Sequence, residues 1–323
     1  LETTPAHRIA VLYGSTSPYA RLLHEHFGAA GIAVNGPGVV AVRDRAVARG
    51  FLDLLGLPSS QFARSDLFAA LSQAPIRDRS GKRVPVVRWE RSSRKAGVIR
   101  GSDWTVRLNA KADELELARE RAAADGNQER AAYLEASIDE TRALQSFVTD
   151  LIERLAAGAA AGSWSEIADW GASLLRDYIG APEELVGRLP PAELYALTTV
   201  EMSLRALTEL DEFEAPVDLP TMIAVIDADL EAARPRVGRF GEGVFVGPLS
   251  AAAGLDVDVV LTVGLSEDSF PGRIAPDALL PDEVRSLVDG HLPLSQERTT
   301  DRHRHLLAAF GATPTVIASF ARG

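Results

Sequence analysis

Arg88, Trp89, Arg91, Arg94 and Lys95 fall within eight residues of one another. Cations interleaved with an indole are what a nucleic-acid strand asks of a protein: charge for phosphate oxygens and an aromatic face for a base. These residues belong to the run RDRSGKRVPVVRWERSSRKAGVIR (77 to 100), which holds nine basic and two acidic side chains. Such a density points to a phosphate contact or an acidic partner, and it equally describes a solvated arm with Trp89 in the core.

Other chemistry is harder to find. His24-Glu25-His26 and His303-Arg304-His305 are i,i+2 pairs on predicted helices, so each pair points two ways and neither has the i,i+4 spacing of a helical zinc site. Gly81-Lys82 is preceded by Ile76 where a Walker A loop needs its first glycine and followed by Arg83 where it needs Ser or Thr. There is no Gly-x-Ser-x-Gly elbow and no Ser/His/Asp set that stands out. The expectation is no catalytic residue, no metal and no cofactor in these 323 residues.

Composition bounds the rest. The net charge of −11 argues against a generic nucleic-acid binder, but the charge is unevenly spread. Residues 1–100 carry 15 Lys and Arg against 7 Asp and Glu; residues 101–240 carry 13 against 27. Cysteine is absent, which excludes disulfides and thiolate metal sites and fits a cytoplasmic setting. No apolar run is long enough to span a membrane, and the amino terminus has no signal-peptide pattern. A start at Leu1 reads as a segment of a longer protein.

The elements that must position these residues follow from pattern. HRIAVLYG (7 to 14) reads as a buried strand, SPYARLLHEHFGAAG as a helix with Ser17 and Pro18 at its start, and IAVNG as a second strand. Helices are expected over 43–57 and 64–75. The acidic middle is helical throughout, broken at Gly126-Asn127 into an antiparallel pair, with a capping box from Ser163 to Glu166. Strands return at GVFVGPL, VDVVLTVG (257 to 264) and TPTVIASFA. The fold class is therefore α/β: a parallel sheet from residues 1–75 and 236–323, split by an all-helical insertion over 76–235.

Residues 248–271 read Pro-Leu-Ser-Ala-Ala-Ala-Gly-Leu-Asp, an apolar strand, then Gly-Leu-Ser-Glu-Asp-Ser-Phe-Pro. This resembles motif V of UvrD-type superfamily 1 DNA helicases: Thr-Leu-His-x-Ala-Lys-Gly-Leu-Glu, a strand, then Gly-x-x-Glu-Gly-x-Phe-Pro. The stretch IAVLYGSTSPYARLLHEHFGAAGIAVNG resembles motif IV, and TTDRHRHLLAAFGATPTVIASFA sits where motif VI would be. The resemblance implies the second, RecA-like motor domain, 2A, with the insertion in the place of domain 2B.

The departures fall on the charged positions. The arginine after the motif IV tyrosine is Gly14 after Tyr13; the motif V Thr, His and Lys are Pro248, Ser250 and Ala253; Gly254 is kept and the Glu is Asp256. Near Phe310–Ala312, where the family has its arginine finger, there is none. Phosphoryl transfer needs cations on the developing charge. The resemblance therefore implies a nucleotide site that has lost its function, as in RecC- and AddB-type subunits of bacterial recombination helicase–nucleases. Such a chain would shape a channel for DNA, single-stranded and within a larger assembly, and dock a partner helicase or nuclease; the PD-(D/E)xK nuclease of AddB-type chains would lie outside these residues. Two alternatives stay open: half of a working helicase, and an unrelated α/β scaffold for protein interaction.

Overall fold

The computed structural model describes residues 4–213, 217–266, 268–272, 277–288 and 292–320. In chain order, β1 (Ile9–Tyr13), α1 (Tyr19–Ala29) and β2 (Val34–Pro37) come first. Nine α-helices follow one another through the middle, and a tenth comes after three further strands, on the approach to the carboxyl end. They are α2 (Ala46–Gly56), α3 (Arg64–Gln73), α4 (Val86–Lys95), α5 (Asp103–Ala124), α6 (Gln128–Gly158), α7 (Trp164–Tyr178), α8 (Pro182–Leu185), α9 (Pro191–Ala206), α10 (Leu219–Ala232) and, after three strands, α11 (Asp282–Arg285). Those strands are β3 (Arg236–Val237), β4 (Val244–Pro248) and β5 (Val259–Val263); α12 (Ser295–Gly311) and β6 (Thr315–Ala318) complete the order. The chain divides into two compact units: residues 1–39 with 234–323, and residues 40–233.

The first unit holds a six-stranded sheet in the order β3-β2-β4-β1-β5-β6, parallel except for the β3–β2 pair. β1 is central, with Ala10 opposite Phe245 of β4 and Val260 of β5. It is apolar at every position because both faces are covered. Ala10 and Leu12 pack with Leu249, Ala252, Val260 and Ala309, while Val11 and Tyr13 pack with Ala20, Val244 and Val246. α12 therefore lies over one face and α1 over the other. Strand β6 is mostly exposed and forms one edge.

The second unit is helical apart from an isolated antiparallel bridge between Arg77 and Arg83. Leu, Phe and Trp at helical spacing share one core, including Phe51, Trp104, Leu151 and Tyr178. The break expected at Gly126-Asn127 is present: Gly126 takes φ +75°, and the Asn127 side chain accepts the Arg130 N–H at 3.0 Å to start α6. Arg119 pairs with Glu135 and Gln145 with Asn109, so residue numbers rise on one helix as they fall on the other: α5 and α6 run antiparallel. At α7, Ser163 Oγ accepts the Glu166 N–H, but Glu166 reaches back to the N–H of Gly162 instead of Ser163. The capping box is thus half formed, and Asp211 takes the N–H groups of Trp164 and Ser165.

One boundary differs from expectation. Residues 40–75, assigned from sequence to the sheet domain, belong to the helical unit. The apolar face of α2 (Val47, Phe51, Leu54, Leu55) meets α3, α9 and α10. Helical periodicity identifies a face that must be buried; it does not say whether a sheet or another helix buries it.

Candidate functional site

Two places in the structure bring together residues singled out by sequence, one in each unit. The first is built on α4. Pro85 ends the preceding chain and α4 begins directly after it. Trp89 and Ser93 share its inward face. Trp89 is 4 % exposed, and its ring meets Phe147 of α6 at 5.1 Å between centroids, which in turn meets Tyr178 edge-on at 5.8 Å. Trp89 is core; the reading of it as a base-stacking face is corrected. The four cations of the helix, Arg88, Arg91, Arg94 and Lys95, turn outward because the indole turns in.

Arg88, Arg91 and Lys95, at i, i+3 and i+7, line one wall of a groove of about 380 Å³. Lys111 and Leu115 of α5 and Tyr133, Ser137 and Glu140 of α6 line the rest. Lys111 is paired with Glu114 at 2.9 Å, and Glu140 accepts a hydrogen bond from Ser92 Oγ at 2.8 Å. Among the described residues, Arg88, Arg91 and Lys95 have no carboxylate partner within ion-pair distance. Arg94 does: it binds Glu90 at 2.5 Å and stands outside the groove. Sequence reasoning missed Lys111 and Tyr133. Tyr133 left one signal, an aromatic residue one position away from the Leu134–Ile138 core stripe and therefore on the solvent side.

The second place is the carboxyl edge of the sheet, where parallel α/β sheets commonly bind ligands. Gly14 follows β1, Pro248 ends β4 and Ser250 follows it; with Ser15, Phe270, Arg302 and His305 they line a cleft of about 340 Å³. Arg302 and His305 come from α12, and Arg302 donates to the Pro271 carbonyl. Neither residue was picked as a site residue from sequence, because the motif VI resemblance puts its cation further along, at Phe310–Ala312.

The other candidate positions are not gathered here. Tyr13 points to the opposite face, against α1, where burial raises its hydroxyl pKa. Ala253 and Gly254 are exposed on the link from β4 to β5, and Gly254 has φ +81°, a conformation that favours glycine. Asp256 lies beyond them at the amino edge. Its carboxylate pairs with Arg8 at 3.1 Å, and Arg8 also holds Asp258 at 2.7 Å, keeping the Asp258 carboxyl below its ordinary range. The strand length puts Asp256 on the order of 15 Å from the cleft. The six candidate nucleotide-site positions therefore do not form one site. Glu267, part of the motif V resemblance, lies outside the described residues, as do His291 and the side chains of Asp268 and Ser269.

Among the described residues, no cluster of three His, Cys, Asp or Glu side chains is placed to hold a metal ion, and no helix is long and apolar enough to cross a membrane. No protein-family model matches the chain, and no curated protein matches it significantly.

Proposed function

We propose that the chain is a non-catalytic, helicase-like module that handles DNA, with a RecA-like 2A-type sheet domain split by a 2B-type helical insertion. The observation that carries this reading is the groove on α4. Three cations without carboxylate partners line one wall of it, on a chain whose net charge is −11. Like charges held together without counterions favour a polyanion, and displacing that polyanion's counterions drives binding. The motif IV and V resemblance supplies the helicase assignment. The carboxyl-edge cleft supports loss of turnover: Gly14, Pro248 and Ser250 aim no cation into it. The module would act in a DNA-break-processing helicase–nuclease of the RecC or AddB type, docking a partner helicase or nuclease in the cytoplasm.

One observation favours a second reading, the 2A/2B half of a working helicase: Arg302 and His305 bring positive charge capacity to the same cleft. The two readings share the groove and differ in turnover.

The test of the groove is charge reversal at Arg88, Arg91 and Lys95, all to Glu, with DNA affinity measured by anisotropy across salt. Each single-strand phosphate contact contributes about 0.7 to the slope of log K against log salt, so three lost contacts lower it by about 2. Affinity and slope unchanged from the parent chain would remove the groove from any DNA path.

A further inference from the structure

We infer that Tyr133 stacks on an unpaired base, which makes the α4 groove a site for single-stranded nucleic acid; this rests on the proposal that the groove binds a phosphate backbone. Tyr133 is 67 % exposed, and no other aromatic ring lines the groove. Among the described residues its ring packs against no other aromatic ring, and its hydroxyl has no hydrogen-bond partner. A large ring left in water on the wall facing three unpaired cations is the arrangement that grips a strand by both its chemistries. The cations take phosphate, and the ring takes a base face, whatever the base.

The dimensions agree. Arg88 and Lys95 stand seven residues apart on α4, about 10 Å along its axis, the rise of about three stacked nucleotides. A groove of about 380 Å³ falls in the size range of small-ligand sites, enough to take a nucleotide. In a duplex the base faces are already stacked on each other, so a tyrosine can reach one only where the strand is unpaired. Leu115, half-buried in the lining of the same groove, adds apolar surface to it.

The experiment compares binding of a labelled oligothymidylate and of a matched duplex to the 323-residue chain, across salt, for the parent, Tyr133→Ala, Tyr133→Phe and the triple charge reversal. Expected for Tyr133→Ala is a roughly 5- to 150-fold loss for the single strand. The salt slope and duplex binding stay unchanged, and Tyr133→Phe behaves as the parent. Tyr133→Ala without effect, or weakening strand and duplex alike, overturns the stacking role while charge reversal still reports on the groove. If charge reversal too leaves binding unchanged, the underlying proposal fails with it. A polyglutamate chain that displaces the oligonucleotide equally from parent and Tyr133→Ala would identify an acidic peptide as the occupant and overturn the inference.

Discussion

Phe270 occupies the space that a side chain at position 14 would need. A Cβ built on Gly14 would lie 2.7 Å from the Phe270 Cβ, closer than real side chains approach, and 3.1 Å from its Cγ, tighter than most real contacts. Phe270 is itself buried with Leu12, Leu249 and Ala309, so it cannot move aside without disturbing the packing under α12. Gly14→Ala is expected to destabilise the chain by about 1–3 kcal/mol, the usual cost of overpacking. Gly14→Arg, which would place there the arginine of the helicase motif that this stretch resembles, should cost at least as much, since the clash arises at the first carbons. Urea unfolding measures both; a neutral Gly14→Arg would mean the cleft is more open than its lining implies.

Trp89 gives the opposite kind of substitution, large to small. Its truncation to Ala leaves a cavity between α4 and α6 beside Phe147, and should cost about 3–5 kcal/mol. Arg91→Ala, on the exposed face of the same helix, should fall within about 0.5 kcal/mol. Were Trp89 a solvent-facing stacking platform, the two would be alike by denaturant unfolding, and only DNA binding would separate them.

These two residues also show how far sequence alone reaches. Strands β1, β4, β5 and β6 were legible as apolar runs between turn residues, and α1 and the α5–α6 break as periodicity and glycine placement. Their mostly parallel assembly followed from the alternation of strands and helices. The fate of residues 40–75 was not legible, because an amphipathic helix declares its buried face and not its neighbour. Trp89 was misplaced for a related reason: a tryptophan among cations reads as a binding patch until the helix phase is known, and that phase is set by what packs on α4. Asp256 fails differently. Only five residues lie between it and Ser250, but the link between them runs from the carboxyl edge of the sheet to the amino edge, so closeness in a motif is not closeness in space.

Asp211 predicts a pH dependence. Its carboxylate accepts from Ser165 Oγ at 2.5 Å and from the N–H groups of Trp164 and Ser165, at the start of α7. The Ser165 hydrogen bond and then these backbone donors hold its pKa below the ordinary aspartate value. A folded pKa below the unfolded one stabilises the protein above the unfolded value, about pH 4, and that stability is lost as pH falls through the folded pKa. Asp211→Asn should therefore melt below the parent at pH 7, and the gap should narrow as pH falls below about 4. A gap that stays constant between pH 7 and pH 2.5 would show that shape, and not charge, holds this cap.

The last expectation concerns nucleotide. In the carboxyl-edge cleft, phosphate would meet Ser15, Ser250, Arg302 and His305. Arg302 already donates to the Pro271 carbonyl, so binding phosphate would compete with a contact that holds the 268–272 turn. Ala253 is exposed on the link between strands, and Asp256 sits at the far edge, engaged by Arg8. Turnover needs more than one fixed donor on the transferred group, and loss of an arginine finger alone typically slows hydrolysis by about 10³- to 10⁵-fold. The chain is expected to hydrolyse no ATP, with or without DNA, and Asp256→Asn should leave nucleotide affinity untouched while loosening only the Arg8 contact. Calorimetric titration with ATP, and phosphate release with oligonucleotide present, check this on the parent, Asp256→Asn and Arg302→Ala. Micromolar ATP binding that Arg302→Ala abolishes, accompanied by DNA-stimulated release, would establish the working-helicase reading in its place.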